Sequence, residues 1–353
     1  MEFVLSKHED PAPTWSQPPT NSNQSHQEEN LAQSALRFFA PATIKCPNCA
    51  GDIAADGYCK LCGAKAPEPN DHALLQPAGW VAGASDRGLV HSINEDAMAA
   101  LASQTPGEWA AIAVCDGVTS ASNSQHAAIS AALSAVQSLQ MNRKDYEDID
   151  SADSGIDQVA LTAIKAANEA VVASSDDAID NPPSCTLAFA VISHGLTFAV
   201  SVGDSRVYWV PETGAAKLLT TDDSLAQEQI KVGVAREEAE TSPSAHVITG
   251  WLGLDAPEVQ LEIGVLEPQP VSGWVAVCSD GLWNYASKPE DFAAIVRANA
   301  AESLTKAASE LVAWANEQGG SDNITIVLAR LEAAPDILDV PTTKLTRHTG
   351  GGR

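Results

Sequence analysis

"CTLAFAVISHGLTFAVSVGDSRVYWV", Cys185 to Val210, decides the fold class. It holds three apolar runs, 185–192, 196–202 and 206–210, rich in Val, Phe, Thr and Tyr and separated only by the turns "SHG" and "GDS". Connections this short predict antiparallel pairing of each run with the next. Further strand-like runs stand at 109–115 ("WAAIAVC"), 273–279 ("GWVAVCS") and 323–331 ("NITIVLARL"). Helical patterns fall at 124–140, 156–175 and 303–317,. Hairpins kept apart from long amphipathic helices predict an α+β domain with helices covering sheet faces.

That domain is expected over 77–332. Residues 1–40 are rich in Pro, Ser, Asn, Gln and His and read as a disordered arm, with Leu36 to Phe39 either a docking patch or a segment packed on the neighbouring domain,. The tail, 333–353, reads as disordered too. "DYEDIDSADSGID" (145–157) carries six acidic residues and no basic one, and reads as a solvated loop between two helices.

Between arm and domain, at 41–66, lies "KCPNCAGDIAADGYCKLCGA". Cys46, Cys49, Cys59 and Cys62 form C-x2-C-x9-C-x2-C, a spacing that sets four thiolates tetrahedrally around one Zn²⁺,. Four sulfur ligands leave no open position, so this metal is structural. A rubredoxin-like iron site or a redox pair are the alternatives. The segment resembles the zinc-ribbon family found at protein termini as an interaction or assembly module. A Pro-containing linker is expected over 67–76.

The formal net charge is −26, from 46 acidic and 20 basic residues. This excludes nucleic acid or an anionic membrane surface as the main partner, and with it a zinc-ribbon transcription or RNA-binding factor. No apolar run reaches the roughly 18 residues of a membrane span. "MEFVLSKHEDPAPTW" lacks the basic start and apolar stretch of a secretory leader, so cytoplasm is the expected location,.

The chemistry lies in acidic residues at strand ends. Asp116 follows "WAAIAVC", Asp280 follows "GWVAVCS", Asp322 precedes "NITIVLARL", and "RGLVHSINEDAMA" leads into a strand through Glu95 and Asp96. One Asp-Gly is a turn signal. Four aspartates at the ends of buried strands, if those ends converge, make a site for hard cations such as Mg²⁺ or Mn²⁺. Cys115 and Cys278, beside two of them, read as strand fillers.

The series "GLVHSINEDA", "VCDG", "SCTLAFAV", "VGDSRVYWV", "LTTDDSLAQEQ", "ITGWLGLD", "VCSDGLW" and "SDNITIV" resembles the metal-dependent serine/threonine phosphatases of the 2C type, in order and spacing, from about residue 80 to 331. The resemblance implies a four-layer α-β-β-α sandwich, two central antiparallel sheets flanked by helices, with two metals at one end. It implies that Asp116 bridges both metals, that the Gly117 carbonyl binds one, that Asp280 and Asp322 complete the first site, and that Glu95 and Asp96 serve the second directly or through water. A bridging water is then the nucleophile, and His91 and Asp116 are the catalytic candidates. Asp204, in "VGDSR", is left as a turn and packing residue.

Several positions depart from the family pattern. His91 stands where relatives carry a phosphate-binding arginine, and Arg87 is the candidate to reach in beside it. Val118 stands where many relatives carry a histidine proposed as general acid, leaving protonation to water. The aspartates of a third metal correspond to Asp180 or Asn181 and to Asn284, so that site is expected to be weak. Residues 232–244 match the flap bordering the cleft; their acidic character suits either basic substrate segments or a plain solvated loop. The reading is a Mn²⁺- or Mg²⁺-dependent phosphatase acting on phosphorylated proteins, with a serine/threonine kinase or its substrates as partners and the ribbon for recruitment. A pseudophosphatase that only binds phosphoproteins is the rival.

Overall fold

Alternate residues along the strands face two different apolar environments, and that alternation builds the layers. In strand β4 (Trp109–Cys115), Trp109, Ala111, Ala113 and Cys115 pack under helices, while Ala110, Ile112 and Val114 face a second sheet. Both faces are buried, so the run reads as continuously apolar. The computed structural model describes residues 46, 49, 51–54, 58–64, 70–144, 155–174, 180–258, 261–300 and 303–334. The arm at 1–40, most of the acidic stretch 145–157 and the tail from 335 lie outside the described residues.

The first half of the chain gives β1 (His72–Ala78), β2 (Val81–Asp86), β3 (Ala97–Ala102), β4, α1 (Ser124–Met141), α2 (Ile156–Ala173), β5 (Ser184–Cys185), β6 (Leu187–Ser193) and β7 (Leu196–Val202). Then come β8 (Arg206–Pro211), β9 (Lys217–Leu218), α3 (Leu225–Lys231), α4 (Arg236–Glu240), β10 (Leu252–Gly253) and β11 (Gly264–Leu266). β12 (Gly273–Cys278), α5 (Asp280–Trp283), α6 (Pro289–Ala298), α7 (Leu304–Gln318) and β13 (Ile324–Leu331) complete the order.

One sheet runs β11-β7-β6-β4-β3, the other β1-β2-β13-β12-β8-β9, and each pairing within them is antiparallel. Between them lies a core that includes Ile112, Val114, Val275, Val277 and Val327. α1 and α2 cover the outer face of the first sheet, where Ala127, Ala128, Ala131, Ala132 and Ala135 let α1 lie close against the alanines of β3 and β4,. α6 and α7 cover the second through Phe292, Val296, Leu311 and Val312. This is the expected α-β-β-α sandwich. Among the described residues no helix is long and apolar enough to cross a membrane.

The "SHG" hairpin is as expected. β6 and β7 pair from Leu187↔Val202 to Ser193↔Leu196, closed by His194 and Gly195 at φ 49° and 86°, as a primed two-residue turn demands,. The "GDS" connection corrects the sequence reading. β7 and β8 are not paired; they belong to opposite sheets, and the turn carries the chain across the core. Gly203 makes this crossing at φ 98°, where a Cβ would stand 2.7 Å from the Thr186 methyl,. Loop length alone could not distinguish a hairpin from this arch.

The linker expected over 67–76 is also shorter than read, because β1 begins at His72. Its burial alternates imperfectly, and the Pro at position 77 disguised it. α6 was not read as a helix either, although Pro289 opens it, Glu290 and Asp291 sit in its first turn and Arg297 in its last,.

Candidate active site at one end of the sandwich

Pairing brings the strand ends together before any side chain is considered. Ala97 pairs with Cys115, so Asp96 and Asp116 leave the same edge of the first sheet side by side. Cys278 pairs with Ile326, which sets Asp280 beside the start of β13, where Asp322 lies. Gly281 makes the approach close: a Cβ there would stand 2.0 Å from the Asn323 carbonyl oxygen. A glycine after Asp280 is therefore a steric requirement.

The carboxyls feel one another. Burial, then Asp96, Asp280, Asp204 and Asp322, hold Asp116 well above the usual carboxylate range. Burial pushes Asp96 up to about 7, with Asp322 and Asp280 adding to it. Burial pushes Asp280 up to about 6, and Asp322 raises it further while Asn284 and His246 oppose the shift. Asp204, set aside in the sequence reading, belongs to the cluster electrostatically: after burial, Asp280 is the largest influence raising it. Its backbone carbonyl accepts the Trp283 indole N–H at 2.9 Å.

Neighbours hold the aspartates in place. Ser279 Oγ donates to Asp96 Oδ2 at 2.7 Å, and the Asp116 amide donates to Thr186 Oγ1 at 3.0 Å. Asp96 Oδ1 and Asp280 Oδ1 are buried without a hydrogen-bond partner. Stranded anionic oxygens in a repulsive cluster are what divalent cations would satisfy. Among the described residues only the four ribbon cysteines bring three or more ligand atoms within 4.8 Å of one another. The carboxylates are spread more widely, as suits donors shared between two ions.

Two asparagines organise the entrance, and the sequence reading passed over both. Asn94 donates to the Asn70 carbonyl at 2.7 Å and to Ser85 Oγ at 2.8 Å, and accepts the Asp96 amide at 3.2 Å. Asn323 accepts the Glu95 amide at 2.8 Å and donates to the carbonyls of Arg87 and Ile93 at 2.8 and 3.0 Å. Asn323→Ala would strip these partners from the 87–95 segment. We expect a loss of about 2–4 kcal/mol in urea unfolding and a weaker metal affinity in isothermal titration.

The other candidates separate. Glu95 turns away from the aspartates and accepts a hydrogen bond from Ser124 Oγ at the start of α1. His91 Nε2 lies 3.4 Å from Asp322 Oδ1, at the rim of the cluster. Arg87 is held by the Ser92 carbonyl at 3.4 Å and by Asp71 at 3.7 Å, on its own side of the loop. Gly117 sits beside Glu95, its amide donating to that residue's carbonyl at 3.2 Å. Asn181 is engaged with Ser120 and Ser122, and Asp180 beside it is exposed. Asn284 donates to Asp280 Oδ2 at 3.0 Å. Asn181 and Asn284 open on different cavities, of about 210 and about 310 Å³.

In the segment 232–244, matched above to a flap, the acidity is partly spent inward. Glu240 on α4 accepts from Arg206 Nη2 at 3.0 Å, from Arg236 Nη1 at 2.7 Å and from Ser287 Oγ. Arg206 is fully buried, bonded to Asp222 at 2.6 Å and stacked 3.4 Å over the Trp283 ring.

A four-layer sandwich with carboxyls gathered at its strand ends defines a class, and comparison with known proteins identifies it. The Protein phosphatase 2C family pattern matches residues 88–316, more than half of the chain. The chain belongs to that family. The "Serine/threonine phosphatase stp" of Listeria monocytogenes is 30% identical over 47% of this chain and 64% of its own length. The chain thus spans a little under two thirds of that relative. The crystal structure of the Mycobacterium tuberculosis serine/threonine phosphatase PstP/Ppp superposes with a TM-score of 0.55 at 26% identity, covering 71% of this chain and 98% of that one. A structure of the PstP catalytic domain in complex with two manganese ions, 24% identical, has the same fold at a TM-score of 0.51, covering 71% of this chain and 98% of its own.

Proposed function

We propose that this chain hydrolyses phosphoserine and phosphothreonine in proteins, with two Mn²⁺ or Mg²⁺ ions held by Asp96, Asp116, Asp280, Asp322 and the Gly117 carbonyl. The observation that carries the reading is the pair of buried, partnerless oxygens on Asp96 and Asp280 within a family of phosphatases. Such ions would supply positive charge against the phosphate and acidify a water for in-line attack. The residues present fit that role: the carboxyls are pre-assembled and repel one another without a cation, Ser279 holds the Asp96 carboxylate, and Thr186 and Asn94 hold the backbone amides of Asp116 and Asp96.

Asp116 is central, because it feels each of the other aspartates. Glu95, tied to Ser124, orients the entrance and would serve a second ion through water. His91, between solvent and Asp322, is the group positioned to meet a phosphate. Arg87 is committed to Asp71 and Ser92 and contributes less. The third-metal positions stay weak, since the Asn284 amide is donated to Asp280. The manganese-bound relative and the phosphatase activities named for the relatives support this assignment. The intact cluster speaks for turnover rather than for phosphoprotein binding alone.

The four ribbon thiols suit Zn²⁺. Cys46 and Cys62 sulfurs lie 3.4 Å apart and those of Cys49 and Cys59 3.5 Å. The Cys62 and Leu61 amides pull Cys59 down to about 6, favouring the thiolate a metal needs,. The ribbon recruits partners, a serine/threonine kinase or its substrates. Cys59→Ser is expected to release the zinc, read by a chromophoric chelator, and to leave hydrolysis of a small aryl phosphate within about 2-fold.

The test of the main reading is phosphate release from a phosphothreonine peptide. Turnover that needs Mn²⁺ and stops with EDTA is the expected result. Folded, metal-loaded protein inactive from about pH 6 to about pH 9 would sink it.

A further inference from the structure

Hydrolysis of an alkyl phosphate leaves a strongly basic oxygen. As water oxygen bonds to phosphorus, the P–O bond to the serine or threonine oxygen breaks and its electron pair departs on that oxygen. A proton must meet it. His246, at the exit of the flap, lines a cavity of about 310 Å³ together with Asn284, Trp283 and Ser287. Asn284 bonds Asp280, so the cavity abuts the carboxylate cluster. The imidazole is exposed on the wall of that cavity.

The segment that carries it is anchored. The Leu225 amide donates to the Val247 carbonyl at 2.9 Å, the Ala245 amide to the Ser242 carbonyl at 3.0 Å, and Ala245 packs with Ala226 and Ala239. Glu240 latches α4 to Arg206, which stacks on Trp283 in the same helix as Asp280. Flap and metal-site helix are thus held in one register.

We propose that His246 protonates the leaving serine or threonine oxygen, and that the cavity between the flap and α5 receives the residue bearing the phosphate. The proposal rests on the phosphatase reading above. The attacking water releases the proton that balances the one donated, and the neutral imidazole is reprotonated from solvent. The charged groups around the imidazole are Asp280 on α5, Glu237 and Glu240 on α4, and Lys288 and Asp291 at the start of α6.

The experiment compares a phosphothreonine peptide with 4-nitrophenyl phosphate, whose aryl oxide leaves without a proton, using full-length protein and Mn²⁺. His246→Gln is expected to lower kcat on the peptide about 100-fold and to abolish its alkaline limb, while the aryl phosphate changes less than about 2-fold. Glu240→Gln, which loosens the latch, should give the same selectivity in milder form. Equal losses on both substrates, or none on the peptide, would overturn the proposal. Wild-type protein that cleaves neither substrate overturns the phosphatase reading beneath it.

Discussion

Asp280→Asn is expected to remove Mn²⁺-dependent turnover by about 1,000-fold or more, and at the same time to raise the unfolding midpoint of the metal-free protein at neutral pH. The two effects have one cause. Burial and Asp322 lift Asp280 to about 6, from an ordinary 3.8, so its ionised form is costly in the fold. Asp96, at about 7, behaves likewise. A raised carboxyl pKa means that the folded state binds protons more tightly than the unfolded one. The associated stability is fully present below about pH 4 and is lost as pH rises through about 6 to 7. The metal-free wild type should therefore lose stability across that window in pH-dependent calorimetry, and Mn²⁺ should restore it above neutrality by mass action. In the Asn variant the slope should flatten. A variant that keeps its activity, or a metal-free protein whose stability rises from pH 4 to 7, would contradict the site.

Arg206→Ala should be the most destabilising single change outside the apolar core, by about 3–5 kcal/mol in urea unfolding. Its guanidinium has three obligations: the Asp222 carboxylate, which accepts from Nε at 3.0 Å on each oxygen and from Nη2 at 2.6 Å on Oδ2, the Glu240 latch, and the face of Trp283. Truncation leaves the Asp222 carboxylate buried and unpaired. The cost is mainly that stranded charge, so pairing Arg206→Met with Asp222→Leu should recover much of it. If the single and double variants lose equal stability, the ion pair is not the cause. Arg206→Ala should also free the flap, and KM for a phosphopeptide should rise more than that for an aryl phosphate.

The sequence carried the layers and the aspartates because both have local signatures. Apolar runs such as "WAAIAVC" and "NITIVLARL" end in acidic residues, and their antiparallel pairing alone brings Asp116 to Asp96 and Asp280 to Asp322. What escaped was not local. Asn94 and Asn323 look like turn residues until their partners, Ser85 and Glu95 among them, arrive from distant segments. Asp204 looks like part of a hairpin, but the chain crosses between sheets there and sets it beside Asp280. Glu95 and Asp96 could not be told apart in sequence. Opposite faces of the strand entrance send one to Ser124 and the other to Ser279. His246 carried no signal at all, since a flap has neither periodicity nor motif.

The four aspartates come from positions 96, 116, 280 and 322, beside the ends of strands from both sheets. No early-forming fragment of the chain contains a complete set, and the last member arrives only with the strand inserted between β2 and β12. Pairings of such long sequence separation form late and slowly. Tight Mn²⁺ binding should thus emerge only in the final phase of refolding, after most secondary structure has returned, so that the ion reports a finished fold and does not help to nucleate one.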